Sequence, residues 1–305
     1  MYLERAIQIY EYVTPSILRS NFSDTIKVRS VSELIKQFDV LFLDGFGVLN
    51  SGKSAIPGAQ QFLKFAKQMG VEVFVVTNAG SKSSCAISNN YRDMGLSIPH
   101  SHIISSRMCL TQHLLDIQVD LKKVGVIDSF AENIRLDGQE AKRLTPLNAQ
   151  DWLKVENIAF MGAVNWDLDW QNCLTRWLAD GNSLWVANPD VASPQGNKLS
   201  FEPGFWAIAA ADESNAFDQI KWFGKPYQGI FEIAISKVKN NFSIKNLDLS
   251  RCAMIGDTLH TDILGAQNIG IKTILFTKFG VLKGNDPERI IKNTGIHPDF
   301  IAEGF

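Results

Sequence analysis

The sequence predicts an α/β fold: a doubly wound, Rossmann-like parallel sheet interrupted by a second, smaller α/β domain. Three observations predict it. Short apolar runs without polar alternation recur along the chain, as strands buried on both faces do. Segments with apolar residues at helical spacing alternate with them, the rhythm of right-handed βαβ units. Between two blocks of that rhythm lies a middle stretch with a strand and helix pattern of its own.

Taken in order, residues 1–30 mix apolar and polar side chains around Pro15 and read as a short helix and an arm. Ser32 ahead of Glu33-Leu34-Ile35 reads as a helix start. Val40 to Leu43 is the first strong strand. Ala59, Phe62, Leu63, Ala66 and Met69 recur at helical spacing behind Pro57, so Gly58 to Met69 is a helix. Val71 to Val76 is a second strand, Ser83 to Met94 a second helix and Ile103-Ile104 a third short strand. In the middle stretch, Val124 to Ile127, Ile158 to Met161 and Leu184 to Ala187 read as strands. A helix from Leu168 to Leu178 there places Trp170, Leu174, Trp177 and Leu178 on one face, a packing stripe. The first rhythm then returns, with strands at Ile220 to Phe223, Ala253 to Ile255 and Thr273 to Phe276, and helices at Ile230 to Val238 and Asp262 to Ile269. We therefore expect a core of residues 31–106 and 189–305 around an inserted domain of residues 107–188.

Composition narrows the function classes. At 305 residues and 45% apolar side chains, a large buried core is within reach. Thirty basic against 32 acidic residues leave a formal charge of −2, which argues against nucleic acid as a partner. Apolar runs such as Phe205 to Ala211 fall far short of the ~20 residues of a membrane helix, so no membrane partner is expected. The N-terminus shows no basic region followed by an apolar stretch. Cys85, Cys109, Cys173 and Cys252 form no CxxC pair, so reduced thiols and a cytoplasmic location are expected.

In doubly wound sheets, ligands bind beyond the carboxyl ends of the strands. Here those ends carry polar groups. The first strand runs into Leu43-Asp44-Gly45-Phe46, the second into Val76-Thr77-Asn78, and a later one into Ile255-Gly256-Asp257, with Asp262 soon after. Gly224-Lys225-Pro226 follows another strand. Carboxylates suit a hard cation such as Mg²⁺, whereas a hydroxyl, backbone amides and an ammonium suit a phosphate. Such a combination fits phosphoryl transfer, where catalysis is mostly positioning and charge neutralisation.

These four motifs, in this order, resemble those of the haloacid dehalogenase-like (HAD) superfamily. Thr77-Asn78, Gly224-Lys225-Pro226 and the large insertion between them look specifically like its class IIA branch, as do Asn188-Pro189-Asp190 and Pro203-Gly204. The resemblance spans roughly residues 33 to 280. It implies a phosphatase of a small phosphorylated metabolite, such as a sugar phosphate or nucleotide, with the insertion acting as a mobile cap. A second copy of the chain is one further partner it allows. By position, Asp44 would be the nucleophile that forms an aspartyl-phosphate. Gly45, Thr77, Asn78 and Lys225 would bind phosphate, with Thr77 and Lys225 also serving catalysis. Asp44, the backbone carbonyl of Phe46 and Asp257 would hold Mg²⁺, and Asp262 would sit one helical turn further, against water, metal or Lys225. On the cap side, Asp167 and Asp190 are the candidates for substrate contact.

One position departs from the pattern. Hydrolases of the family carry a second aspartate two residues after the nucleophile, which protonates the leaving oxygen and then activates water. This chain has Phe46 there, which moves no proton. General acid–base help is worth ~10² to 10⁴ in rate. The substrate then has a good leaving group, another residue such as His260 or a cap side chain substitutes, or the protein binds a phosphorylated ligand with little turnover. A P-loop nucleoside triphosphatase is a further reading, because Gly47 to Ser54 satisfies GxxxxGK[ST] after a strand. It requires a helix to open at Lys53-Ser54, and Pro57 and Gly58 argue against that. His100 and His102 lack a third metal ligand and read as loop residues, and no GxSxG elbow is present.

Overall fold

A computed structural model of the chain describes residues 7–10, 25–128, 133–196, 198–241 and 247–305. Two parallel sheets organise it. The larger has seven strands, in spatial order Ile26–Ser30, Phe300–Gly304, Lys272–Phe276, Cys252–Gly256, Val40–Leu43, Glu72–Thr77 and Ile103–Ser105. Val40–Leu43 lies inside the sheet, between Glu72–Thr77 on one side and Cys252–Gly256 on the other. From it the chain winds to one edge, and its C-terminal part fills the other half. That switch opens a crevice at the carboxyl ends of these strands. Val40–Leu43 and Cys252–Gly256 are buried throughout, which is why they read as unbroken apolar runs.

The sheet is wider than expected. Phe300–Gly304 was not foreseen, and Ile26–Ser30, expected in an arm, forms the edge strand against it. Residues 7–10 are helical; residues 1–6 and 11–24, including Pro15, lie outside the described residues. The 3₁₀ helix Val31–Gln37 is capped by Ser30 and not Ser32. Ser30 accepts a hydrogen bond from the Ser32 amide (3.0 Å), and Glu33 accepts one from the Ser30 amide (2.9 Å).

The second sheet comprises Lys142–Arg143, Val124–Ile127, Asn157–Phe160, Ser183–Val186 and Ile220–Trp222. Its last strand corrects the expected layout. Ile220–Trp222, read as a core strand, pairs with Ser183–Val186, Leu184 opposite Ile220. Helix Pro203–Ser214 buries Ala207, Ala210 and Ala211 in the same cluster as Leu174, Trp177 and Leu178 of helix Leu168–Ala179. The inserted sheet therefore runs on to Trp222, past residue 188. A three-residue apolar strand carries no mark of which sheet it joins. No helix among the described residues is long and apolar enough to cross a membrane. All four cysteines are free.

Candidate active site

Adjacent parallel strands end side by side, so the residues that follow them meet. Val40–Leu43 leads into Asp44, Glu72–Thr77 ends on Thr77 ahead of Asn78, and Cys252–Gly256 leads into Asp257. Lys225 arrives from the inserted sheet, just after Ile220–Trp222. Its Nζ lies 2.5 Å from Asp44 Oδ1 and 2.6 Å from Asp262 Oδ1. One carboxylate oxygen from each of Asp44, Asp257 and Asp262 lies within 4.8 Å of the others.

Asn78 explains how the lysine is held. Its Nδ2 donates to Asp190 Oδ1 (2.9 Å) and to the Lys225 carbonyl (3.0 Å), and its Oδ1 accepts from the Lys225 amide (2.7 Å). Both donors are thereby committed. The Asn78 side chain thus fixes the Lys225 backbone and Asp190. Gly224 adopts φ +114°, and a Cβ there would run into the Asn78 carboxamide. At Gly47, φ is +87°, and a Cβ would collide with the Asp257 carboxylate. The Gly45 amide hydrogen-bonds the Asp44 carboxylate, while its carbonyl accepts from the Leu49 (2.8 Å) and Asn50 (3.0 Å) amides and closes the turn.

Charge at this centre is unbalanced. Burial pushes Asp44 up to about 7, against the pull of Lys225 and with Asp262 adding to the rise. Asp257 is driven well above the usual carboxylate range by burial and by Asp44 and Asp262. Burial works against charge on Lys225 too, but Asp262 and Asp44 outweigh it and hold the ammonium protonated. One lysine thus faces three clustered carboxylates. Asp257 is oriented by the Val281 amide (2.7 Å) and the Thr258 hydroxyl (3.2 Å). An all-oxygen donor set short of positive charge fits a hard divalent cation.

Above the cluster lies a cavity of about 760 Å³, lined by Asp44, Thr77 and Asn78 at its polar end and by half-buried Phe46, Trp166, Phe201 and Trp206 elsewhere. A haloacid dehalogenase-like hydrolase family model matches residues 41–137, which carry Asp44 and Thr77, and a HAD-hydrolase-like model matches residues 222–305, which carry Lys225 and Asp257. The chain belongs to the haloacid dehalogenase-like superfamily. It is 28% identical to a 4-nitrophenylphosphatase of Schizosaccharomyces pombe, over 90% of this chain and 94% of that one. It is 25% identical to the ribonucleotide monophosphatase NagD of Escherichia coli, over 75% and 83%. The crystal structure of a possible sugar phosphatase from Cytophaga hutchinsonii superposes with a TM-score of 0.78 at 27% identity, covering 92% of this chain and 98% of that one. These relatives place the chain in the class IIA, NagD-like branch of the superfamily.

Within that HAD framework the P-loop reading falls. Asn50–Ser51 and Ser54–Ala55 pair as a tight hairpin with Gly52 at its turn, and the next helix begins only at Ala59. No helix amides stand behind Lys53 to hold phosphate. Asp167 is exposed and spends its carboxylate accepting from the Trp170 amide (3.1 Å) at the start of helix Leu168–Ala179; it does not line the cavity. His260 is buried face to face with Tyr10, ring centroids 5.3 Å apart, and does not line the cavity either. Among the expected cap-side residues, Asp190 alone reaches the cavity. Trp206 and Phe201 were missed as lining residues. The only hint was the apolar run beginning at Phe205, which does not reveal which way each ring faces.

Proposed function

We propose that this HAD-family chain is a Mg²⁺-dependent phosphatase of small phosphate monoesters, sugar phosphates or nucleotides, working through an aspartyl-phosphate at Asp44. The observation that carries this reading is Asp44 at the polar end of the cavity, 2.5 Å from a lysine that Asn78 holds by its backbone. Asp44 Oδ1 accepts from Lys225, which leaves Oδ2 as the nucleophilic oxygen in this reading. It attacks phosphorus as the ester oxygen leaves, and water then cleaves the acyl phosphate to give inorganic phosphate and regenerate the carboxylate. The Thr77 hydroxyl lines the same end of the cavity and contacts phosphoryl oxygens. Lys225 offsets charge on the nucleophile and on the transferring group. Asp44, the Phe46 carbonyl and Asp257 would hold Mg²⁺, which when bound supplies neutralisation of the phosphoryl charge. Asp262 anchors Lys225 from the opposite side. The cap aromatics shield the reaction from bulk water.

The test is phosphate release from a panel of phosphorylated metabolites with and without Mg²⁺. Wild type should turn over at least one of them only with Mg²⁺, and Asp44→Asn should lose at least ~10³ of that rate. Phe46 favours a second reading, a phospho-ligand binder with little turnover. Ligand-induced thermal stabilisation without phosphate release would select it.

A further inference from the structure

Transfer of a phosphoryl group from a sugar or other alkyl ester requires a proton at the leaving oxygen, because a free alkoxide is a poor leaving group. Four carboxyl side chains line the cavity: Asp44, Asp93, Asp190 and Glu202. Asp44 is assigned to phosphorus. Asp93 is exposed on the surface of helix Ser84–Asp93. Both oxygens of Glu202 are occupied, Oε1 by the Ser193 and Ser200 hydroxyls (2.6 Å each) and Oε2 by the Asn188 amide (3.2 Å). Asp190 differs from all three. Only its Oδ1 is engaged, by Asn78 Nδ2, and Oδ2 accepts no hydrogen bond among the described residues. The backbone on either side is pinned as well: the Asp190 amide donates to Asn188 Oδ1 (3.1 Å), and its carbonyl accepts from the Gly204 amide (3.1 Å).

We infer that Asp190 is the proton-transfer residue of this active site, standing in for the aspartate that Phe46 replaces. The inference rests on the phosphatase reading above. As the P–O bond to the leaving group breaks, the Asp190 carboxyl gives its proton to the departing oxygen, which leaves as a neutral alcohol. The resulting carboxylate then takes a proton from the water that attacks the acyl phosphate, and the acid form is restored. The charged and titratable groups that face Asp190 are Lys225, Asp44 and Asp262 from the core and Tyr10 from the N-terminal segment. Desolvation outweighs the pull of Lys225, and with Asp44 adding to the rise the carboxyl is pushed up to about 8. Burial thus favours the acid form that a general acid needs.

The experiment compares Asp190→Asn with wild type on two esters, 4-nitrophenyl phosphate and glycerol phosphate, at saturating Mg²⁺. The readout is kcat/KM, which reports the steps through the first irreversible one. An aryl oxygen departs without a proton and an alkyl oxygen does not. We expect kcat/KM for the alkyl ester to fall ~10²-fold or more, and for the aryl ester less than ~10-fold. The alkaline fall of the alkyl profile, present in wild type because the acid form is needed, should vanish in the variant. Adding Phe46→Asp to Asp190→Asn should restore alkyl turnover at least ~10-fold. Equal losses on both esters, or an unchanged pH profile, would overturn the proposal and leave Asp190 as a positioning residue for Asn78 and Lys225. If wild type hydrolyses neither ester, or Asp44→Asn matches it, the phosphatase reading itself falls and takes the proton role with it.

Discussion

The two ends of the cavity are built on opposite principles. At the core end, Asp44, Asp257, Asp262 and Lys225 are buried or nearly so, linked by short ion pairs and oriented by backbone amides and by Asn78. At the aromatic end, Trp166, Phe201 and Trp206 are half-buried and meet through ring contacts, Trp166 stacking on Trp206 at 5.9 Å, and half-buried Phe46 lines the same cavity. The core end keeps charges rigidly in place where chemistry needs them, at the cost of desolvation. The aromatic end is half-buried and largely apolar, a lining that under the proposed function suits the organic part of a phosphate ester. The contrast predicts that mutations at the core end change the chemical step and the charge balance, whereas mutations at the aromatic end change affinity.

The largest effect tests the core end directly. Lys225→Met keeps the stem but removes the charge between Asp44 and Asp262. Loss of one preorganised electrostatic partner lowers kcat by ~10²–10³. It also leaves two buried carboxylates unpaired, at a cost of about 3–5 kcal/mol of folding stability. The cost should be smaller at pH 5, where the Asp44 carboxyl takes up a proton, than at pH 8. Steady-state kinetics and urea unfolding at both pH values check this. A variant as stable as wild type at pH 8 would mean that the ion pairs are not the constraint described here.

The next effect is on proton linkage. In the folded chain Asp44 titrates at about 7 and Asp190 at about 8, against 3.8 for an ordinary aspartate. The folded state therefore binds more protons than the unfolded state between pH 4 and 8, and metal-free stability must fall as pH rises through that window. Each such proton contributes about 1.4 kcal/mol per pH unit. The contribution is fully present below pH 4 and is lost once both carboxyls ionise. A divalent cation acts in the opposite sense, because it binds the deprotonated carboxylates. Thermal unfolding in EDTA and in excess Mg²⁺ should show a larger Mg²⁺-induced rise in Tm at pH 8 than at pH 5.5. Equal rises at both would remove the charge deficit from the account of the site.

The two ends also differ in how much of them could be read from the residues alone. The gathering of Asp44, Thr77 and Asp257 was legible because each follows an apolar run, and parallel neighbours must end side by side. Lys225 was legible only through its motif, since the strand before it belongs to the inserted sheet. The role of Asn78 was not legible, because three hydrogen bonds to Lys225 and Asp190 join segments more than a hundred residues apart. Asp167 and Asp190 looked equivalent as cap-side carboxylates, yet one caps a helix and the other faces the cavity. The edge strand Ile26–Ser30 and its neighbour Phe300–Gly304 escaped notice because their pairing joins segments almost the whole chain apart.

The smallest effect tests the aromatic end. Trp206 lines the cavity beside Trp166 and packs edge-on against Phe201 and Phe205. Its side chain makes none of the ion pairs at the polar end, so under the proposed function its contacts with the organic part of the ester are the same before and during phosphoryl transfer. Such uniform binding appears in KM and leaves kcat unchanged. Trp206→Leu keeps an apolar surface but removes the ring face, and a lost ring contact is worth about 0.5–1.5 kcal/mol. That converts to a rise of about 2- to 12-fold in KM for a phosphate ester, with kcat within about twofold of wild type. Inhibition by inorganic phosphate, which engages only the polar end, should be unchanged. A fall in kcat with constant KM, or weaker phosphate inhibition, would show that the cavity aromatics take part in the chemical step and that the division between the two ends is not the one drawn from their packing.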